Sequence, residues 1–198
     1  MKKLALSDVK NLHEYELIRE EWRREIIAVK TLRRVLLGEK MSLLIENRLT
    51  VLHQVQEMCR AERIAKPEAI QHELDVYNEL LPGPGELAAT LLVEITEERL
   101  IQPELDRLIG LTNGTHLWLE LNGRKVFARF LEGQSREDRV SAVQYLRFPV
   151  GEDPADREAL AAGPAPVVVH VDHPNYRASA ELSAEKRREI ALDLVDRH

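Results

Sequence analysis

Apolar residues recur at steps of three and four between positions 11 and 34. Leu12, Tyr15, Ile18, Trp22, Ile26, Val29 and Leu32 form one stripe, with arginines and glutamates on the remaining faces. That period predicts an amphipathic helix whose two aromatic residues serve packing. Residues 35–47 carry two apolar runs around Gly38-Glu39-Lys40, which predicts a β-hairpin turned by the glycine. Asn47 is placed to cap a helix over 48–64, with Leu49, Leu52, Val55 or Gln56, and Cys59 as its buried line. Pro67 opens a second helix that runs to Leu81 and stops at Pro82-Gly83-Pro84-Gly85. Its stripe is Ile70, Leu74, Tyr77 and Leu81. A two-residue joint between these helices predicts a sharp reversal, a helical hairpin over 47–81.

The second half reads mainly as strands. Residues 87–95 are nearly all apolar, the mark of a central strand. A short helix is expected over 97–108, interrupted near Pro103. Strands over 116–121 and 125–131 flank Asn122-Gly123, the strongest short hairpin signal in the chain. Residues 134–139 read as a polar loop. Residues 141–150 alternate as a strand, with Val143, Tyr145 and Arg147 on one face. The stretch 151–166 is acidic and then rich in Ala, Gly and Pro, which predicts a mobile surface segment. A further hairpin over 167–171 and 176–182 surrounds Asp172-His173-Pro174-Asn175, and Ser183 starts a final helix. Successive hairpins without alternating helices define an α+β fold: an antiparallel sheet packed against the helical hairpin and the N- and C-terminal helices.

Composition narrows the function classes. The 198 residues, 44% of them hydrophobic, fit one domain over 1–198 that needs no staple. A net charge of −6 argues against a general nucleic-acid binder. The basic run Arg23, Arg24, Lys30, Arg33 and Arg34 reads as a solvated helix face. Cys59 is the only cysteine, which excludes an intrachain disulfide and CxxC chemistry. Apolar runs fall far below the ~18 residues of a membrane span, and the N-terminal stretch turns polar too early for a signal peptide. The expected location is cytoplasmic, with no membrane partner.

Two clusters carry candidate chemistry. On the helical hairpin His53 and Glu57 lie four apart, as do Glu68 and His72, and Glu73 and Tyr77. Glu46 precedes the first of these helices. A site drawing on His53, Glu57, His72 and Glu73 would offer imidazole and carboxylate ligands suited to iron, manganese or zinc. The spacing departs from the Glu-x-x-His pairs of di-iron bundles, and an exposed face of i,i+4 pairs is the plainer reading. The second cluster is His170, Asp172 and His173. His170 and Asp172 point the same way on a strand, with His173 in the turn. They would serve as metal ligands or as a His–Asp base, though ordinary turn chemistry accounts for the same residues. No G-x-S-x-G, phosphate-loop or dinucleotide spacing occurs.

The runs ENRLTVLHQVQEMCRAERI, IQHELDVYNELLPGPGELAATLLVEI, SREDRVSAVQYLRFPV and VDHPNYRASAEL together resemble the bacterial domain-of-unknown-function family 3501, over nearly the whole chain. The resemblance implies a cytoplasmic protein encoded beside rubrerythrin-like proteins and iron–sulfur oxidoreductase subunits, and hence a place in redox or peroxide-stress physiology. It assigns no catalytic residue. Three functions follow as expectations. The first is a non-catalytic accessory or partner-binding component, with the helical hairpin and the 82–86 connector as its surface. The second is a metal- or haem-dependent oxidoreductase, with iron or manganese at the hairpin site. The third is a small-molecule sensor with a pocket between sheet and hairpin.

Overall fold

The computed structural model describes residues 1–133, 139–151 and 153–194. The expected polar loop at 134–139 therefore lies almost wholly outside the described residues. The long N-terminal helix α1 (Leu12–Arg33) begins at Asn11, whose side chain accepts from the Glu14 amide. It leads into the hairpin β1 (Arg34–Leu37) and β2 (Met41–Glu46). Asn47 then caps α2 (Arg48–Ala61) through the Leu49 and Thr50 amides, while the Thr50 hydroxyl accepts from the Asn47 amide. This reciprocal pairing satisfies donors that a helix start leaves orphaned. Helix α3 (Pro67–Asn78) has proline in its first position, where a missing N–H costs nothing.

The joint between α2 and α3 is longer than two residues and is built as a Schellman turn. Arg63 adopts φ 55°, and the Ile64 and Arg63 amides return to the Cys59 and Arg60 carbonyls. The hairpin buries Val51, Val55, Cys59, Leu74, Leu80 and Leu81, with Tyr77 and Ile70 at the margin. Leu49, expected in that line, is exposed, and Val51 takes its place.

The remaining elements are β3 (Glu86–Val93), α4 (Ile101–Asp106), β4 (Leu117–Leu121), β5 (Arg124–Phe127), β6 (Arg129–Phe130) and β7 (Val143–Pro149), then α5 (Pro154–Ala162), β8 (Val168–His173), β9 (Tyr176–Glu181) and α6 (Ala184–Ala191). The fold is α+β, with every strand pair antiparallel. Two sheets replace the one expected. Their orders are β1-β2-β3-β7-β6 and β5-β4-β8-β9. The Asn122-Gly123 turn has both residues at positive φ (51° and 71°), as a two-residue hairpin requires.

Strand β3 sits centrally, and its alternate residues Leu87, Ala89, Leu91 and Val93 face inward with Leu43, Ile45, Leu146 and Phe148. Leu117, Leu119, Val169 and Val171 of the second sheet join the same core. Strands β5 and β6 are consecutive and belong to different sheets, so the strands form a nearly continuous band. At its far ends β1 meets β9 through side chains, where the Tyr176 hydroxyl donates to the Leu37 carbonyl.

The segment expected to be mobile, 151–166, holds α5. Asp153 caps the Ala155 amide, Pro154 takes the first helical position, and Ala159 and Leu160 enter the core. Arg187 closes the far end by donating to the carbonyls of Ala159, Leu160 and Gly163. Acidic, Pro-rich composition hid a capped helix start. No helix among the described residues is long and apolar enough to cross a membrane.

Candidate functional site: a polar seam between the first two helices

The ionisable residues of α2 meet α1 rather than α3. Glu57 is held in a three-sided grip. Its Oε1 accepts from the Tyr15 hydroxyl and from Arg19 Nε at 2.8 Å, and its Oε2 from Arg19 Nη2 at 3.0 Å. The Arg19 hydrogen bond leads the causes that pull the Glu57 carboxyl down to about 2. One turn along, the His53 ring meets Trp22 edge-on, with centroids 5.9 Å apart. His53 Nε2 is buried and has no hydrogen-bond partner among the described residues. Burial, reinforced by Lys30, holds the imidazole below its ordinary range, so the ring is neutral at pH 7. Burial also lowers the Lys30 ammonium.

At the seam's end lies Glu46, 1% exposed. Its Oε1 accepts from Thr90 at 2.6 Å and Gln54 at 3.1 Å, and its Oε2 from Thr50 at 2.5 Å. Three donors offset the desolvation of a buried carboxylate. Below it Arg33, wholly buried, donates to the Ile45 and Glu46 carbonyls and pairs with Glu189 and Asp193.

The expected metal set does not assemble. His53 and Glu57 face α1, whereas His72 on α3 is exposed. Glu73 is half-buried and acts on the Cys59 thiol, which burial and this carboxylate push up. The reason is rotational: four-residue spacing aligns residues within each helix, and the two pairs look toward different neighbours. Among the described residues no group of three or more His, Cys, Asp or Glu side chains is gathered for a metal. The second set is also split. On β8, His170 lies on Trp118, with centroids 5.0 Å apart and planes 14° from parallel, and its Nε2 is 3.1 Å from Glu120. Asp172 pairs with Arg177 at 2.8 Å. His173 is the last strand residue rather than a turn residue. It is buried, with Nε2 3.1 Å from the Ile109 carbonyl and Nδ1 accepting from the Asn175 amide. Strand alternation sends it to the face opposite its two neighbours.

Spacing alone makes Tyr15 and Trp22 packing residues and Lys30 a solvated one, whereas Tyr15 and Trp22 also contact the seam's Glu57 and His53 and Lys30 is partly desolvated beside them. The signal for the seam was the apolar stripe itself, since Arg19 and Lys30 lie three, four or seven positions from its members.

The connector after α3 shapes an open groove of about 720 Å³, lined by Lys3, Asn78, Pro82, Pro84, Glu132 and Arg147 among others. Arg147 donates to Glu86 at 3.0 Å and to the Glu79 carbonyl at 2.8 Å, tying β7 to the helix exit.

A two-sheet α+β body with a helical layer bearing a polar seam is the class that fold and site define. The chain belongs to the family described as protein of unknown function DUF3501, whose model matches residues 3–194. It is also similar to a protein of unknown function from Burkholderia pseudomallei K96243, known from a 1.90 Å crystal structure. The two are 31% identical with a TM-score of 0.88, over 98% of this chain and 100% of that one. A search of curated proteins gives no match.

Proposed function

We propose that the protein is a non-catalytic, partner-binding component of a redox or peroxide-stress system, with the groove beside the 82–84 connector as its docking surface. One observation carries the reading. The imidazole and carboxylate groups of α2 are committed to the α1–α2 seam, while the exit of α3 is braced into a rigid wall by Arg147, Glu86 and the Glu79 carbonyl. Proline at positions 82 and 84 fixes that wall before any partner arrives, which lowers the ordering cost of binding. The redox context comes from the neighbourhood the family resemblance implies, with rubrerythrin-like proteins and iron–sulfur oxidoreductase subunits as the candidate partners. The test is affinity purification of the tagged chain from its own cells, with Arg147→Glu as comparison. Enrichment of a protein of either class, lost in the variant, is the expected result. Enrichment of neither class overturns the reading.

A further inference from the structure

A second surface, independent of the groove above, is the outward face of α1. Tyr15, Ile26 and Arg33 are the buried residues of this helix. The opposite side carries His13, Leu17, Glu20, Arg24, Ile27 and Thr31, all of them exposed. Their steps alternate between four and three residues, the spacing with which one helix lies along another. At about 100° per residue they fall within about 80° of arc, centred about 160° round from Tyr15. Leu17 is 74% exposed, the most of any large apolar side chain among the described residues, and Ile27 is 55% exposed. Apolar residues scattered singly over a surface need no explanation, but these two lie on one line, on the side of the helix farthest from the core.

The line is complementary to itself when reversed. Laid antiparallel on a second copy, about a dyad level with position 22, Leu17 meets Ile27 of the second copy. Glu20 meets its Arg24, and His13 its Thr31. Each contact occurs twice, as an isologous interface requires. A parallel arrangement would set Glu20 on Glu20 and Arg24 on Arg24, so charge selects the antiparallel one. Among the described residues Arg24 forms no ion pair, and Glu20 forms one, with Arg19 at 3.4 Å. Both charges are therefore open to a second copy. On one flank Glu21 and Glu25 of the two copies would face each other, a repulsion that water at an exposed rim keeps small.

We infer that the outward face of α1 is a self-association surface, through which two copies of this chain pair as an antiparallel two-fold dimer. Leu17 and Ile27 supply the apolar contact, and Glu20 and Arg24 fix the direction and register. One helix pair makes a small interface, below about 1,200 Å², so the dimer is a weak one that forms as concentration rises.

Sedimentation velocity of the full chain from about 1 μM to about 1 mM tests this. It is run on the native chain, Leu17→Ser, Glu20→Arg, Arg24→Glu, and an equimolar mixture of the two charge reversals. The native chain is expected to pass from monomer to dimer over that range. Each reversal meets a like charge twice across the dyad, so each should weaken the dimer by about tenfold or more, as should Leu17→Ser. The mixture brings opposite charges together at both contacts and should associate about as tightly as the native chain. All three positions are exposed, so melting temperatures should stay near the native one, which separates lost association from lost folding. A native chain still monomeric at about 1 mM, a dimer indifferent to the single variants, or a mixture no tighter than its components overturns the inference.

Discussion

Tyr15 and Arg19 share one oxygen of Glu57, so a single carboxylate joins two turns of α1 to α2. Replacing Tyr15 with Phe removes one charge-assisted hydrogen bond and leaves the ion pair. The expected loss is about 1.5–3 kcal/mol by denaturant unfolding at pH 7. The Glu57 carboxyl titrates near 2 in the folded chain against an ordinary 4.5. Its contribution is therefore fully present above about pH 4.5 and is lost as pH falls through 2. The gap in stability between the native chain and Glu57→Gln should close over that window.

His53 gives a pH dependence in a higher range. Its folded value is depressed, so the unfolded chain binds a proton first as pH drops below the ordinary 6.5. The stability tied to this residue is complete above 6.5 and declines beneath it. Leucine here gives up no hydrogen bond at Nε2 and cannot charge. His53→Leu should match the native chain at pH 7.5 and exceed it at pH 5.5, read from urea midpoints.

Arg33 is the costliest single position in the seam. Its guanidinium serves two backbone carbonyls and two acids at once. Arg33→Met should lose about 3–5 kcal/mol, because the nearly buried Asp193 and the two backbone carbonyls lose this guanidinium. Arg33→Lys should recover little, since an ammonium lacks the planar fork. Thermal unfolding of both variants decides this.

Arg63 holds a conformation that favours glycine, at φ 55°. Arg63→Gly should stabilise the chain by about 0.5–1 kcal/mol, the αL penalty relieved less the added freedom of the unfolded glycine. A lowered melting temperature would contradict this account of the turn.

Iron or manganese added during purification should wash away. His53, Glu57, His72 and Glu73 look toward different neighbours and do not form a coordination shell. Elemental analysis of the purified protein is expected to find metal far below stoichiometric. Stoichiometric metal that His72→Ala abolishes would sink this reading of the seam.

Local signals in this chain were strong where one residue type has one physical use. Asn47 and Pro67 marked helix starts, Asn122-Gly123 marked a two-residue turn, and the apolar run at 87–95 marked a strand covered on both faces. Spacing on a single helix showed that His53 and Glu57 share a face, but it carried no information on which neighbour that face meets. That choice depends on the rotation of α2 about its axis, set by burial of Val51, Val55 and Cys59 against α3. The two-sheet split was illegible for a related reason. It follows from register, and register is a property of strand pairs rather than of strands.

Arg33 also orders the life of the chain on the ribosome. Helix α1 ends in a cation whose acidic partners, Glu189 and Asp193, lie 156 and 160 residues further along the chain. Until they emerge, closing the first layer would trap an unneutralised guanidinium. A chain truncated before α6 should therefore stall as a loosely docked intermediate open to proteases, with α1 waiting on partners made long after it.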